Sequence, residues 1–158
     1  MKLIDFIAKD ALVPQLKANQ RDEVIGELVD ALIDAGKIPA SFRKDLIQQI
    51  VEREKRGSTG FGKGVAVPHV KHKGVKKMVA AIGISERGVD FNALDKAPVY
   101  SVVLLASPAD RPDEHLQAME NIFRNLQKDT FRRFLRQAST AEEILDLIQE
   151  ADAHQLQG

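Results

Sequence analysis

One run, Val99-Tyr100-Ser101-Val102-Val103-Leu104-Leu105-Ala106, constrains the fold more than any other segment. It is apolar on both alternating faces, as a strand is when both sides of its sheet are covered. At eight residues it is far too short to cross a membrane, so it belongs at the centre of a sheet with a helical layer on each side.

The flanking sequence supplies those layers. Upstream, Asn19 is the expected N-cap of a helix with Val24, Ile25, Leu28, Val29, Leu32 and Ile33 on one face, stopped by Gly36. Ser41 is expected to cap a second, with Phe42, Leu46, Ile47, Ile50 and Val51 buried, ending near Arg56-Gly57. Downstream of Ser107-Pro108, Pro112, Asp113 and Glu114 suit a helix first turn, and Leu116, Met119, Ile122, Phe123 and Leu126 form its buried stripe. A short helix is expected around Phe131, Phe134 and Leu135, and a last one from the capping box Thr140-x-x-Glu143, burying Ile144, Leu147 and Ile148.

The remaining elements are shorter. Leu3–Ala8 reads as a short helix, followed by an apolar stretch around Pro14. Val65-Ala66-Val67, stopped by Pro68, and Val79–Ile84 read as strands, with Val89 and Phe91 as a short edge strand. Two helices, a block of strands and three helices make an α/β domain with helices on a central sheet. The 158 residues suit one such domain, with a core over about 3–151 and a loose tail at 152–158.

The chain has no cysteine, which excludes disulfides, thiolate metal sites and a cysteine nucleophile. The start Met1-Lys2-Leu3-Ile4-Asp5 lacks the apolar stretch of a signal peptide, so a cytoplasmic location without membrane insertion is expected. The formal net charge is zero, which argues against a nucleic-acid binder. That balance conceals an asymmetry of +5 over residues 1–78 and −5 over residues 79–158. Between Arg53 and Lys77 stand eight basic residues and a single acid, Glu54, which suits either a solvated face or a surface for an anion or acidic partner.

The same stretch holds Gly57, Gly60, Gly62, Gly64 and Gly74, half of the ten glycines in the chain. Gly57–Lys63 fits G-x-x-x-x-G-K, but Gly64 stands where a magnesium-binding Ser or Thr is needed. The segment also runs from helix into strand, the reverse of a nucleotide-binding P-loop. Its backbone donors still suit close approach to a small anion.

Of the four histidines, His72 lies between Lys71 and Lys73 and is expected to be exposed, while His154 falls in the tail. His115 lies in a helix first turn, where cap contacts would explain it. His69 follows Pro68 at a strand end after the glycine-rich loop, where α/β proteins commonly place reactive groups. There is no H-E-x-x-H pattern and no acidic cluster beside a histidine, so no metal is expected. No G-x-S-x-G elbow offers a hydrolase nucleophile.

The segment Arg53-Glu54-Lys55-Arg56-Gly57-Ser58-Thr59-Gly60-Phe61-Gly62-Lys63-Gly64-Val65-Ala66-Val67-Pro68-His69 resembles the signature of enzyme IIA of the bacterial phosphoenolpyruvate-dependent sugar phosphotransferase system. The likeness is to the fructose/mannitol type, which includes the nitrogen-regulatory IIA proteins. Gly88–Asp95 followed by Pro98-Val99 resembles its middle motif, and Glu114-His115-Leu116 its second histidine motif. The resemblance runs from about Leu3 to Ala151. Val70 departs from the small residue common after the histidine, and Lys71-His72-Lys73 is unusually basic.

The resemblance implies a small mixed sheet flanked by helices and a phosphoryl relay. His69 would accept a phosphoryl group from the phosphohistidine of an HPr-like carrier and pass it to a cysteine of a separate enzyme IIB. Arg53 matches the active-site arginine and His115 the second active-site histidine. Ser58 and Thr59 are further candidate donors to the phosphoryl oxygens. The transfer needs no cofactor. A second function, regulatory rather than catalytic, has His69 phosphorylation switch affinity for a kinase, a transporter or another regulator.

Overall fold

A computed structural model describes residues 1–153, so His154 and most of the expected tail lie outside the described residues. The run that organised the sequence is the strand β5 (Val99–Pro108). It pairs antiparallel with β4 (Val79–Val89) on one side and parallel with β2 (Val65–Ala66) and β3 (His69–His72) on the other. A further strand, β1 (Ile7–Val13), runs parallel to β4, giving a mixed five-stranded sheet.

The alternation along β5 sorts two cores. Val102, Leu104 and Ala106 join a cluster with α1 (Arg21–Asp34) and α2 (Arg43–Arg56). Val103 and Leu105 join another with α3 (Pro112–Leu126), α4 (Asp129–Gln137) and α5 (Ala141–Asp152). The result is one α/β domain of three layers, five α-helices among the described residues flanking the sheet. At the expected capping box, the Thr140 hydroxyl accepts from the Glu143 amide at 3.1 Å.

Several local expectations are corrected. Only Leu3–Asp5 is helical near the start, as a 3-10 turn, and the following residues form β1. The register shifts between Ile7 and Leu12, turning both Lys9 and Asp10 outward between buried pairs. That irregularity breaks the period of two and imitates a helical pattern. The N-cap of α1 is Gln20 rather than Asn19, and Ser41 sits in a 3-10 turn (Ala40–Phe42) leading into α2. Phe91 is not an edge strand: Val89 ends β4, and Phe91 is buried beyond it.

Asp152, placed in the loose tail, is the last residue of α5. Its carboxylate accepts from the Leu3 and Ile4 amides at 2.7 and 2.9 Å, tying the helix end to the start of the chain. Pro68 does not end the strand line either. Val65 lies opposite Ser101 and His69 opposite Leu105, in the same register on both sides of the interruption. The Pro68 carbonyl still accepts from the Leu105 amide at 3.0 Å. This continuity places His69 on the face of β5 that also carries Leu105 and Ser107.

Candidate functional site

The site is built from the end of α2, the glycine-rich loop, the start of β3 and the first turn of α3. Glu54, on the last turn of α2, is 2% exposed. Its carboxylate accepts the Thr59 amide at 3.0 Å and the Thr59 hydroxyl as well. The Thr59 oxygen in turn accepts the Val67 amide at 3.2 Å. Val67 then receives the His69 ring through its carbonyl, 2.8 Å from Nδ1. Four groups on three segments are thus joined in one hydrogen-bonded chain from a buried carboxylate to an imidazole.

The last link decides the tautomer. A carbonyl oxygen only accepts, so Nδ1 carries the proton and the neutral ring keeps its lone pair on Nε2. The half-buried His69 ring lies 5.5 Å, centroid to centroid, from that of His115, at 50°. His115 is buried, with Nδ1 2.6 Å from the hydroxyl of Ser107 on β5. Either group can donate in that pair.

Both imidazoles are held below the usual histidine range. For His69 the main cause is burial, aided by the positive charges of Arg53 and Lys71 and opposed by the Val67 bond and Glu54. For His115, burial and then the neighbouring His69 and Lys71 push the value down to about 4. The His115 ring is therefore neutral at pH 7, and the shift at His69 favours its neutral form there as well.

Arg53 lies half-buried at the base of the loop, and its Nη1 donates to the Gly57 carbonyl at 2.8 Å. That carbonyl follows the end of α2, where a cation meets the negative end of the helix dipole. Ser58 accepts the Gly60 amide at 3.0 Å, which leaves its own proton free to be donated elsewhere. Gly60 packs where a side chain would collide, a Cβ there lying 2.8 Å from that of Ala93, so the loop is seated closely on the domain.

Three of the residues singled out from sequence therefore gather in one place, His69 and His115 in ring contact and Arg53 close enough to act on His69 electrostatically. Thr59 differs from its expected use, because its hydroxyl proton is directed at Glu54. His72 is corrected outright. It is 3% exposed, on the opposite face of β3, with Nε2 2.5 Å from Asp45 and Nδ1 accepting the Gly74 amide at 2.8 Å. Phe42 meets its ring edge-on at 5.3 Å.

Glu54 and Ser107 were missed by sequence reasoning. For Glu54 a signal existed, since it is the single acid in a strongly basic stretch. For Ser107, buried at the end of β5, no local signal exists. Among the described residues no group of three or more His, Cys, Asp or Glu could hold a metal, and no helix is long and apolar enough to cross a membrane.

Comparison with known proteins bears on this arrangement. Residues 5–151 match the family described as phosphoenolpyruvate-dependent sugar phosphotransferase system, EIIA 2. The chain is 31% identical over 152 residues to the fructose-specific EIIABC component of Bacillus subtilis, covering 96% of this chain and 24% of that protein. It is 30% identical over 148 residues to a nitrogen regulatory protein of Bradyrhizobium diazoefficiens, covering 94% of this chain and 95% of that one.

Among solved structures, nitrogen regulatory protein IIA-Ntr from Neisseria meningitidis superposes with a TM-score of 0.81 at 27% identity, over 91% of this chain and 97% of that one. The IIA mannitol enzyme of Escherichia coli, solved in complex with phosphorylated IIB mannitol, shares the fold, with a TM-score of 0.74 at 22% identity over 89% and 94%. The relatives thus divide between sugar-specific and nitrogen-regulatory proteins. The chain belongs to the EIIA type 2 family of the phosphoenolpyruvate-dependent sugar phosphotransferase system.

Proposed function

We propose that this chain is a phosphoryl carrier that accepts on His69 Nε2 and donates to a separate protein. The observation that carries the proposal is the bond from Nδ1 to the Val67 carbonyl, which leaves the Nε2 lone pair free on a neutral ring. In the accepting step that lone pair attacks phosphorus on the phosphohistidine of an HPr-like carrier. The N–P bond of the carrier breaks, and its imidazole leaves with the electron pair. In the donating step a cysteine thiolate of an enzyme IIB attacks the same phosphorus, and His69 leaves as neutral imidazole. The proton stays on Nδ1, donated to the Val67 carbonyl throughout, so no proton has to move at His69.

The phosphoryl group in flight spreads charge over its equatorial oxygens, and catalysis is mainly positioning and electrostatics. Arg53 offers a forked cation to those oxygens. When the Ser107 hydroxyl donates to Nδ1 of His115, that ring carries its proton on Nε2 and donates it to a phosphoryl oxygen. The first turn of α3 adds the positive end of its dipole. Ser58, whose proton is uncommitted within the loop, is a further donor. The complex of the E. coli mannitol IIA fold with phosphorylated IIB supports a partner of that kind.

A second reading makes the same phosphohistidine a regulatory mark that alters affinity for a kinase, a transporter or another regulator. The nitrogen regulatory protein of Bradyrhizobium diazoefficiens, matched over 94% of this chain and 95% of that one, supports it. Label transfer from radioactive phosphoenolpyruvate through enzyme I and HPr tests both. The wild type is expected to take up label and His69→Ala to take up none. Label persisting in His69→Ala overturns the site. On adding IIB proteins from the same organism, rapid passage of label to a IIB cysteine supports sugar transport, and stable label supports regulation.

A further inference from the structure

Away from His69, toward the start of β5, the face of the sheet that carries His69 opens into a cleft of about 800 Å³ beneath α4. Its chemistry is unlike that of the histidine site. Arg132, Arg133 and Arg136 all line it from α4, at spacings where like charges repel. Arg132 is accounted for, since Nη2 meets Asp129 at 2.7 Å and Nη1 donates to the Leu126 carbonyl at 2.8 Å. Arg133 and Arg136 have no carboxylate partner among the described residues, nor does Lys63 on the facing wall.

The cleft is also shaped. The guanidinium of Arg136 stacks over the Tyr100 ring, its central carbon 3.5 Å from the ring centroid, which holds the group in place while its edge donors stay uncommitted. The ring lies between two glycines, and a Cβ at Gly64 or Gly88 would fall 3.2 Å from its carbons. Ser101 is 2% exposed, lines the cleft, and its hydroxyl has no hydrogen-bond partner among the described residues. Among the described residues no buried side-chain polar atom is left without a partner, so this oxygen opens onto the cleft, where a ligand can bond to it. Glu86, also on the wall and unpaired, offers an acceptor to a ligand hydroxyl.

We propose that this cleft binds a small phosphomonoester, its phosphate held by Arg133, Arg136 and Lys63 and its hydroxylated body reaching Ser101 and Glu86. Guanidinium forks match phosphate oxygens, and the volume is that of a small-molecule pocket. The site stands apart from His69 and does not rest on the phosphoryl-carrier reading, so His69→Ala protein is expected to bind equally well.

Backbone amide NMR titration of the full chain tests it, with inorganic phosphate, glucose 6-phosphate and adenosine monophosphate as separate probes. At least one ester is expected to give saturable shifts at Lys63, Gly64, Tyr100, Ser101, Arg133 and Arg136, with tighter binding than inorganic phosphate. The ester preferred identifies the body as sugar or nucleoside. The double variant Arg133→Gln/Arg136→Gln is expected to weaken binding about tenfold or more, with its fold checked by circular dichroism. Should that variant not fold, Arg133→Lys and Ser101→Ala decide, each weakening the ester while leaving the charge or the fold intact. The proposal is overturned by the absence of saturable shifts up to about 10 mM, by equal affinity for phosphate and both esters, or by variants that bind as the wild type does.

Discussion

His69 and His72 stand three residues apart on one strand, and the two sides of the sheet make opposite things of them. On the α1–α2 side, His72 has both ring nitrogens committed, one to Gly74 and one to Asp45, with Phe42 against its edge. On the α3 side, His69 has one nitrogen committed, and its ring is left half-buried beside His115. A histidine with both nitrogens satisfied is a structural cross-link. In the proposed carrier, His69, with Nδ1 committed and Nε2 free, is the oriented nucleophile. Burial alone does not separate the two, since the more buried ring is the one with no nitrogen left free.

The largest effect expected from breaking this contrast is on phosphoryl uptake. His69→Ala removes the acceptor and is expected to abolish labelling by phospho-HPr, whereas His72→Ala is expected to label as the wild type does. A His72→Ala protein that folds but fails to label would remove the distinction. Glu54→Ala is expected to cost about 2–4 kcal/mol in denaturant unfolding, because it leaves the Thr59 amide and hydroxyl without their buried acceptor. It should also slow uptake, by loosening the Val67 carbonyl that orients His69. A variant that loses stability yet labels at full rate would show that the bracing chain serves the fold alone.

His72→Ala is expected to cost about 2–3 kcal/mol, from the cavity and the orphaned Gly74 amide. Asp45→Asn should cost less than about 1 kcal/mol, its side chain being 55% exposed. Equal losses from the two would place the strength of the contact in the bond to Asp45 and not in the packing.

A separate, pH-dependent effect comes from His69 and His115, both lowered in the folded protein. The unfolded chain then takes up protons first as pH falls. Stability from their neutral burial is complete above the ordinary value of 6.5, and for His115 it is lost on descending to about 4. The His115 contribution is at most about 1.4 kcal/mol per pH unit in that window. Thermal melts across it should show a shallower slope for His115→Gln, and an unchanged slope would refute the shift.

Much of the architecture was legible because it is written locally. The doubly apolar β5, the helical stripes and the Thr140 capping box depend on neighbours within a few residues, and they stand in the structure except at Leu116. That residue, expected in the buried stripe of α3, is 59% exposed and lies off the face that Ala118, Met119 and Ile122 bury. β1 was not legible, because its pairing irregularity turns Lys9 and Asp10 outward together and hides the strand period. At the site, His69 and Arg53 stood out through the motif around the glycine loop. Glu54, one residue from Arg53, shows in the sequence only as the single acid of a basic stretch, and its burial against Thr59 is a product of the loop's packing.

The sequence by itself determined the helices α1 to α5, the central strand, and the family to which the chain belongs. Only the tertiary structure decided which histidines meet and which nitrogen of His69 is free. Side-chain periodicity and capping are short-range and survive in a linear reading. The contact of His69 with His115 depends instead on the parallel register of β3 against β5, and the burial of His72 on the packing of α2. Those are pairings between distant segments, and the chemistry of an imidazole is set by what such pairings place at each of its two nitrogens.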